Sequence, residues 1–273
     1  MYMEITKNKR GIRFYLHIYK MLFIQCLKTR MSYRSDFIIS MIGMVIMNLS
    51  GIAGFLLIFN NFNTICGYNK NELLFIFAFF LIAITPNQCF FDNNWNLAFE
   101  IMDGRFIIYN LRPINVFFYF MSNNFDLKGI WRFIIGVSLL VYSWINLDIG
   151  FSVIMLLKLI VLLIFSSLSI IALINAAAAS GFFFIGGHQI LMFTSSFFDY
   201  AMYPITIFNS FFKALFSFII PIGFFGFYPC QALLRPENNS IMPWLTIPLG
   251  VIYFILSYKL WTFGARRYGG TGS

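Results

Sequence analysis

From Phe151 to Phe198 the chain runs for forty-eight residues with Lys158 as its only charged side chain. A single helix of that length would reach about 72 Å. That is more than twice the roughly 30 Å hydrocarbon thickness of a bilayer. The run is therefore expected to fold as two membrane-crossing helices joined by a tight turn within Ser180 to Gln189, around Gly186 and Gly187. Lys158 falls about two turns from the outer end, where a long side chain is expected to snorkel toward the headgroups, a functional intramembrane lysine being the alternative.

Other stretches repeat the pattern. Phe37 to Phe59, Leu73 to Phe91, Gly129 to Leu147 and Ile241 to Phe263 are each long and apolar enough to cross, which makes six spans. Only 11% of the residues are charged, against about 25% in soluble domains, so most of the chain has no need to face water. The 37 phenylalanines require no special aromatic path, because lipid accommodates Phe as it does Leu. Ala172, Ala176 and Ser180 repeat every fourth residue and form a small-residue stripe, suited to close helix packing within the chain or between subunits.

Two segments are not ordinary spans. In residues 9–34, Arg10, Arg13, Lys20 and Lys28 fall on one side of a helix, with Tyr15, Ile18, Tyr19, Leu22 and Cys26 opposite. That basic amphipathic helix is suited to the headgroup layer. Its charge density also argues against a cleavable signal peptide. Residues 203–235 are apolar but broken by Pro204, Pro221 and Pro229. Two short helices that enter and leave the outer face fit this segment, because irregular backbone at membrane depth must be buried in protein or line a cavity.

Charge orients the spans. Fifteen of the nineteen Lys and Arg lie in the N-terminal segment, in the region 92–132 and near the C-terminus. Six spans put all three regions on one side, which the positive-inside rule makes cytoplasmic. The net charge of +9 is thereby assigned to loops, and no nucleic-acid partner is expected. Cys26, Cys66, Cys89 and Cys230 make no C-x-x-C or metal spacing. Cys66 and Cys230 both fall on the outer side, which leaves a disulfide between them open.

No catalytic, metal or nucleotide motif is present: there is no H-E-x-x-H, G-x-S-x-G or P-loop. The dense mixed pattern lies in the cytoplasmic loop 92–128, where Glu100, Ile101, Met102, Asp103, Gly104 and Arg105 are followed by Arg112 and Pro113. A short helix carrying Leu97, Phe99, Ile101 and Met102 is expected to end at Gly104, with Pro113 opening the next element. Such a helix could dock in the groove of a soluble partner.

Three stretches together resemble bacterial ABC-2-type exporter permeases. They are Phe99 to Arg105 with Leu111-Arg112-Pro113, the proline series Tyr203-Pro204, Pro221 and Tyr228-Pro229, and the ending Trp261 through Ser273. The resemblance implies one all-α membrane domain over residues 1–273, with an N-terminal interfacial helix, six transmembrane helices and re-entrant helices between spans five and six. It also implies that loop 92–128 couples to separate ABC ATPase subunits. ATP and magnesium would then bind in that partner, with no cofactor held directly. A second permease subunit would complete a dimer, most naturally a heterodimer, in the bacterial cytoplasmic membrane. An ATP-independent channel or scaffold subunit is the alternative, followed by an intramembrane lipid-modifying enzyme.

Overall fold

The computed structural model describes residues 11–32, 34–61, 64–147, 149–150, 152–237 and 240–269. In chain order the helices are α1 (Ile12–Ser32), α2 (Arg34–Asn61), α3 (Lys70–Phe90), α4 (Asn94–Met102), α5 (Ile107–Asn110) and α6 (Val116–Ser122). They continue with α7 (Lys128–Asn146), α8 (Val153–Ala179), α9 (Gly187–Ser196), α10 (Ser210–Ala214), α11 (Phe227–Leu234) and α12 (Met242–Arg267). Between α2 and α3, strands β1 (Thr64–Ile65) and β2 (Tyr68–Asn69) pair antiparallel. Five helices among the described residues, α2, α3, α7, α8 and α12, are long and apolar enough to cross a membrane.

Helix α3 is the centre of the bundle. Leu73 through Thr85 are all buried, as expected for a helix that is apolar on every side. Its start is fixed by a capping box: the Asn69 backbone N–H donates to Glu72 Oε2 at 2.7 Å, and the Asn69 side chain accepts from the first turn. The preceding hairpin turns through Cys66 and Gly67 with φ of 50° and 79°. Two left-handed residues in succession are what a tight two-residue hairpin requires.

Two close helix contacts define the ends of the bundle. Helices α3 and α7 are antiparallel: Phe75 meets Trp144 with ring centroids 5.9 Å apart, while Gly129 lies against Cys89 at the other end. Helices α8 and α12 are parallel. Lys158 Nζ sits 5.8 Å from the Trp244 ring, Gly250 lies on the Phe165 carbonyl, and Gly264 packs on Phe182. One end of the bundle therefore carries the β1–β2 hairpin and Trp244, and the other carries α4 to α6.

Because α8 and α12 run the same way, the chain between them must return from the loop end to the hairpin end. The expected unbroken fifth span is not what performs this return. Helix α9 gives way to a 3-10 turn at Phe197–Tyr200, and Pro204 then holds extended backbone at φ −61°, ψ 132°. Next come α10, a π turn at Leu215–Ile219, a 3-10 turn at Ile222–Phe224, and α11. Arg235 then reaches the hairpin end, donating to the Gly67 carbonyl at 2.7 Å and lying 3.7 Å from Glu72. Pro204 and Pro221 mark breaks in residues 203–235, but no proline or glycine marks the earlier one, where α9 ends at Ser196.

The turn into α9 lies within the expected range. A Cβ on Gly187 would stand 2.3 Å from Gly181 Cα, so this backbone crossing requires a residue without a side chain. The open Cys66–Cys230 disulfide is not formed: both thiols are free, with Cys66 exposed at the hairpin tip and Cys230 buried in α11. Lys158 is held against the Trp244 ring by a cation–π contact near the hairpin end of α8.

Helix α1 crosses the loop end. Its half-buried side includes Tyr15, Ile18, Tyr19, Leu22 and Cys26, while Arg13, Lys20 and Lys28 are exposed. Arg10 lies outside the described residues. The outward side also carries Phe14, Met21 and Met31, so cations and apolar side chains share it. Arg30 anchors the helix, 3.4 Å from the buried Asp126 and donating to Asn124 Oδ1 at 3.3 Å.

The Gly250 contact makes a direct stability test. A Cβ there would stand 2.5 Å from the Phe165 carbonyl oxygen, and overpacking of this kind costs about 1–3 kcal/mol. Gly250→Ala is expected to lower the melting temperature in detergent. Gly43→Ala has no neighbour within 4 Å and is expected to leave it unchanged or raise it.

Candidate functional site

Loop residues 92–127 fold back onto the end of the bundle. Helix α4 turns Asn94, Leu97, Ala98 and Ile101 inward and leaves Phe99 and Met102 exposed. The expected apolar row is therefore divided between two faces, because Leu97 and Phe99 are two residues apart on a helix. Gly104 ends the element as expected: its φ is 73°, and its N–H donates to the Ile101 carbonyl at 3.1 Å.

Arg105 lies between two carboxylates, 2.7 Å from Asp103 and 3.6 Å from Glu100. Arg105 and Asp103 face outward while Glu100 is half-buried, and exposed pairs such as Arg105–Asp103 contribute little to stability. Arg112 stacks over the Tyr119 ring at 5.0 Å, and Tyr119 packs on Tyr109. Tyr109 connects the two groups. Burial raises its phenol above the ordinary value, the nearby Glu100 carboxylate raises it further, and its oxygen accepts from Asn123 at 3.3 Å. Glu100, Asp103 and Arg105 thus form one patch, which Tyr109 and Tyr119 extend to Arg112.

Pro113 does not open a helix. The short helix α5 precedes it, and α6 begins at Val116, where Asn115 Oδ1 accepts the Phe118 N–H at 2.9 Å. The Asn115 cap satisfies a free N–H of the first turn, which a proline at 113 has no means to do. Among the three site prolines, Pro204 and Pro221 interrupt helices. Pro229 is the third residue of α11 and is tolerated in a first turn.

Sequence reasoning missed what fastens the loop. Phe106 is fully buried, and its ring meets Phe182 at 5.0 Å, Tyr268 at 5.3 Å, Phe120 at 5.8 Å and Trp261 at 5.9 Å. Tyr268 Oη donates to the Ile101 carbonyl at 3.1 Å, and Asn110 Nδ2 donates to the Ala265 carbonyl at 3.2 Å. Asn94 and Asn175, both buried, hydrogen-bond through their amides and tie α4 to α8. His188 of α9 lies 4.6 Å from the Phe99 ring. Trp261 and Tyr268 belong to the distinctive C-terminal ending, which was the one available signal for this contact.

Among the described residues, no group of three His, Cys, Asp or Glu side chains is placed to hold a metal ion. What the arrangement offers is mechanical: an exposed charged and apolar patch on a loop that is bonded to α8 and α12.

A family model described as ABC-2 family transporter protein matches residues 42–272. The chain therefore belongs to the ABC-2 transporter family. Membrane subunits of this family are transport components that work with ATPase partners. No curated protein and no solved structure matches the chain.

The aromatic cluster yields a graded pair of variants. Trp261→Ala is expected to cost about 3–5 kcal/mol through the cavity it leaves. Tyr268→Phe keeps the ring and loses one hydrogen bond, at about 0.5–1.5 kcal/mol. Thermal unfolding should rank the two, and proteolytic nicking between Asp103 and Pro113 should accelerate in the same order.

Proposed function

We propose that the chain is the membrane-spanning subunit of an ABC exporter, driven by ATP hydrolysis in a separate ATPase. The observation that carries this reading is the placement of loop residues 92–127. The loop presents Phe99, Met102, Asp103 and Arg105 outward while its inner side is bonded to α8 and α12. Closure of the ATPase pushes on α4, and the contacts of Asn94, Ile101 and Phe106 carry that push to the two parallel helices. Glu100 to Arg105, with Arg112 and Pro113, form the docking surface. A second permease, dissimilar to this one, supplies the other half of the pathway.

The loop end faces the cytoplasm of a bacterial cell. Among the described residues, twelve of sixteen Lys and Arg belong to the segments gathered there, and positive charge is retained on the cytoplasmic side. The basic side of α1 then rests against anionic headgroups. The broken segment 203–235 dips into the membrane from the outer side, its α11 portion shielded by α3, α8 and α12.

Two measurements test this. Glu100→Lys combined with Arg105→Glu is expected to leave folding intact, since the swap keeps an ion pair between the two positions, and to abolish copurification with the cognate ATPase. Full ATPase retention and full ATP-dependent efflux in the double variant would refute the docking role. Orientation is read from the exposed Cys66. A membrane-impermeant maleimide should label it in intact cells, and Cys66→Ser should remove that label. Labelling only after permeabilisation would invert the topology.

A further inference from the structure

A groove of about 420 Å³ opens toward the lipid between α8, the π turn and α12. Its floor is the small-residue stripe, with Ala172 and Ala176; Phe218 and Pro221 form one wall, and Tyr253 and Leu260 the other. Two serine hydroxyls also line it, but both are already used. Ser169 Oγ donates to the Phe165 carbonyl and Ser257 Oγ to the Phe254 carbonyl, each at 3.0 Å. Apart from the Tyr253 phenol, the groove therefore offers a guest almost nothing but hydrocarbon.

Its position on α12 supplies the second observation. Arg267 lies on the same helix face as Tyr253 and Leu260, two turns beyond Leu260 toward the loop end. Tyr253 to Arg267 spans about 21 Å of helix, more than the roughly 15 Å of hydrocarbon in one leaflet. With the cation at the headgroup boundary, the apolar slot thus runs from the leaflet at the loop end to just past the bilayer midplane. Lys259, Arg266 and Arg267 are exposed there, and none pairs with a carboxylate among the described residues. The guanidinium of Arg267 lies 4.1 Å over the Phe263 ring, which holds it at that level.

We infer that this groove binds one acyl chain of an anionic phospholipid from the leaflet at the loop end, with its phosphate held by Arg267 and its neighbouring cations. A second copy of the chain suits the groove less well. A two-fold axis along the membrane normal would bring the cationic ends of two α12 helices together, and like charges repel.

The full-length chain in phosphatidylcholine nanodiscs, doped with phosphatidylglycerol carrying an acyl-chain diazirine, tests the inference. Photo-adducts mapped by mass spectrometry should concentrate on Phe218–Pro221 and Tyr253–Leu260 rather than on the lipid-facing Ile134 and Val141 of α7. The matching phosphatidylcholine probe should label the groove about fivefold less, the discrimination that one interfacial cation provides. Ala176→Phe should block the groove, and Arg267→Gln, at an exposed helix end, should erase the headgroup preference without altering the melting temperature. Equal labelling of α7 and the groove by both probes would overturn the site. So would a high-yield disulfide between two copies of a Leu256→Cys variant. No ATPase is present in this assay, so its outcome is independent of the export reading.

Discussion

The parallel packing of α8 and α12 constrains everything between and around them. Two parallel neighbours joined in sequence oblige the intervening chain to cross back, and here it does so without a full-length helix. In hydrocarbon an unpaired backbone group costs several kcal/mol, so the broken return path survives only where protein surrounds it. The burial of Ala201, Ile205, Phe216 and Ile222 through Cys230 meets that requirement for most of the path, while residues 209–214, largely the regular helix α10, are exposed. Side chains also supply partners directly: Ser166 Oγ donates to the Phe224 carbonyl at 2.9 Å, and the Ser217 and Tyr228 hydroxyls are 2.6 Å apart. The closeness of α8 to α12 depends on Gly250 and Gly264, and α3 fills the remaining side of the interior.

The loop end is held by a different kind of interaction. Aromatic edge-to-face pairs each add about 0.5–1.5 kcal/mol beyond the area they bury. The rings around Phe106 and Trp261 join residues from four separate stretches of the chain. Because α5, α6, the turn after α8 and the last turns of α12 share one cluster, the loop and the helix ends form a single unit. The ion pairs on its outer surface contribute little to that unit and remain available for recognition.

Much of this could be read from the sequence, for identifiable reasons. Span positions follow from the length of uncharged runs, and the turn before α9 follows from glycines within an apolar stretch. Gly104 was recognisable as a helix end because a glycine follows an apolar run. The break in the fifth span was hidden because Ile190 to Phe198 still reads as a largely uncharged run, although Asp199 and Pro204 follow it closely. Phe106 gave no local sign of its role, since its burial depends on Trp261 and Tyr268 more than 150 positions away. Cys66 and Cys230 lie toward the same end of the bundle, yet a bridge requires matched Cβ directions, and one thiol points into the core while the other sits at a hairpin tip.

The aromatic cluster fastens α12 at one end only. The helix has 26 residues, a rod of about 39 Å. Pivoting at Trp261, each degree of tilt moves the Met242 end sideways by somewhat less than about 0.7 Å, the arc swept by the full rod. A small rotation imposed at the loop end would thereby be geared up into a larger lateral displacement at the opposite membrane surface, and since α8 packs along α12 the two helices would move together, with Lys158 and Trp244 at the far end of the paired lever.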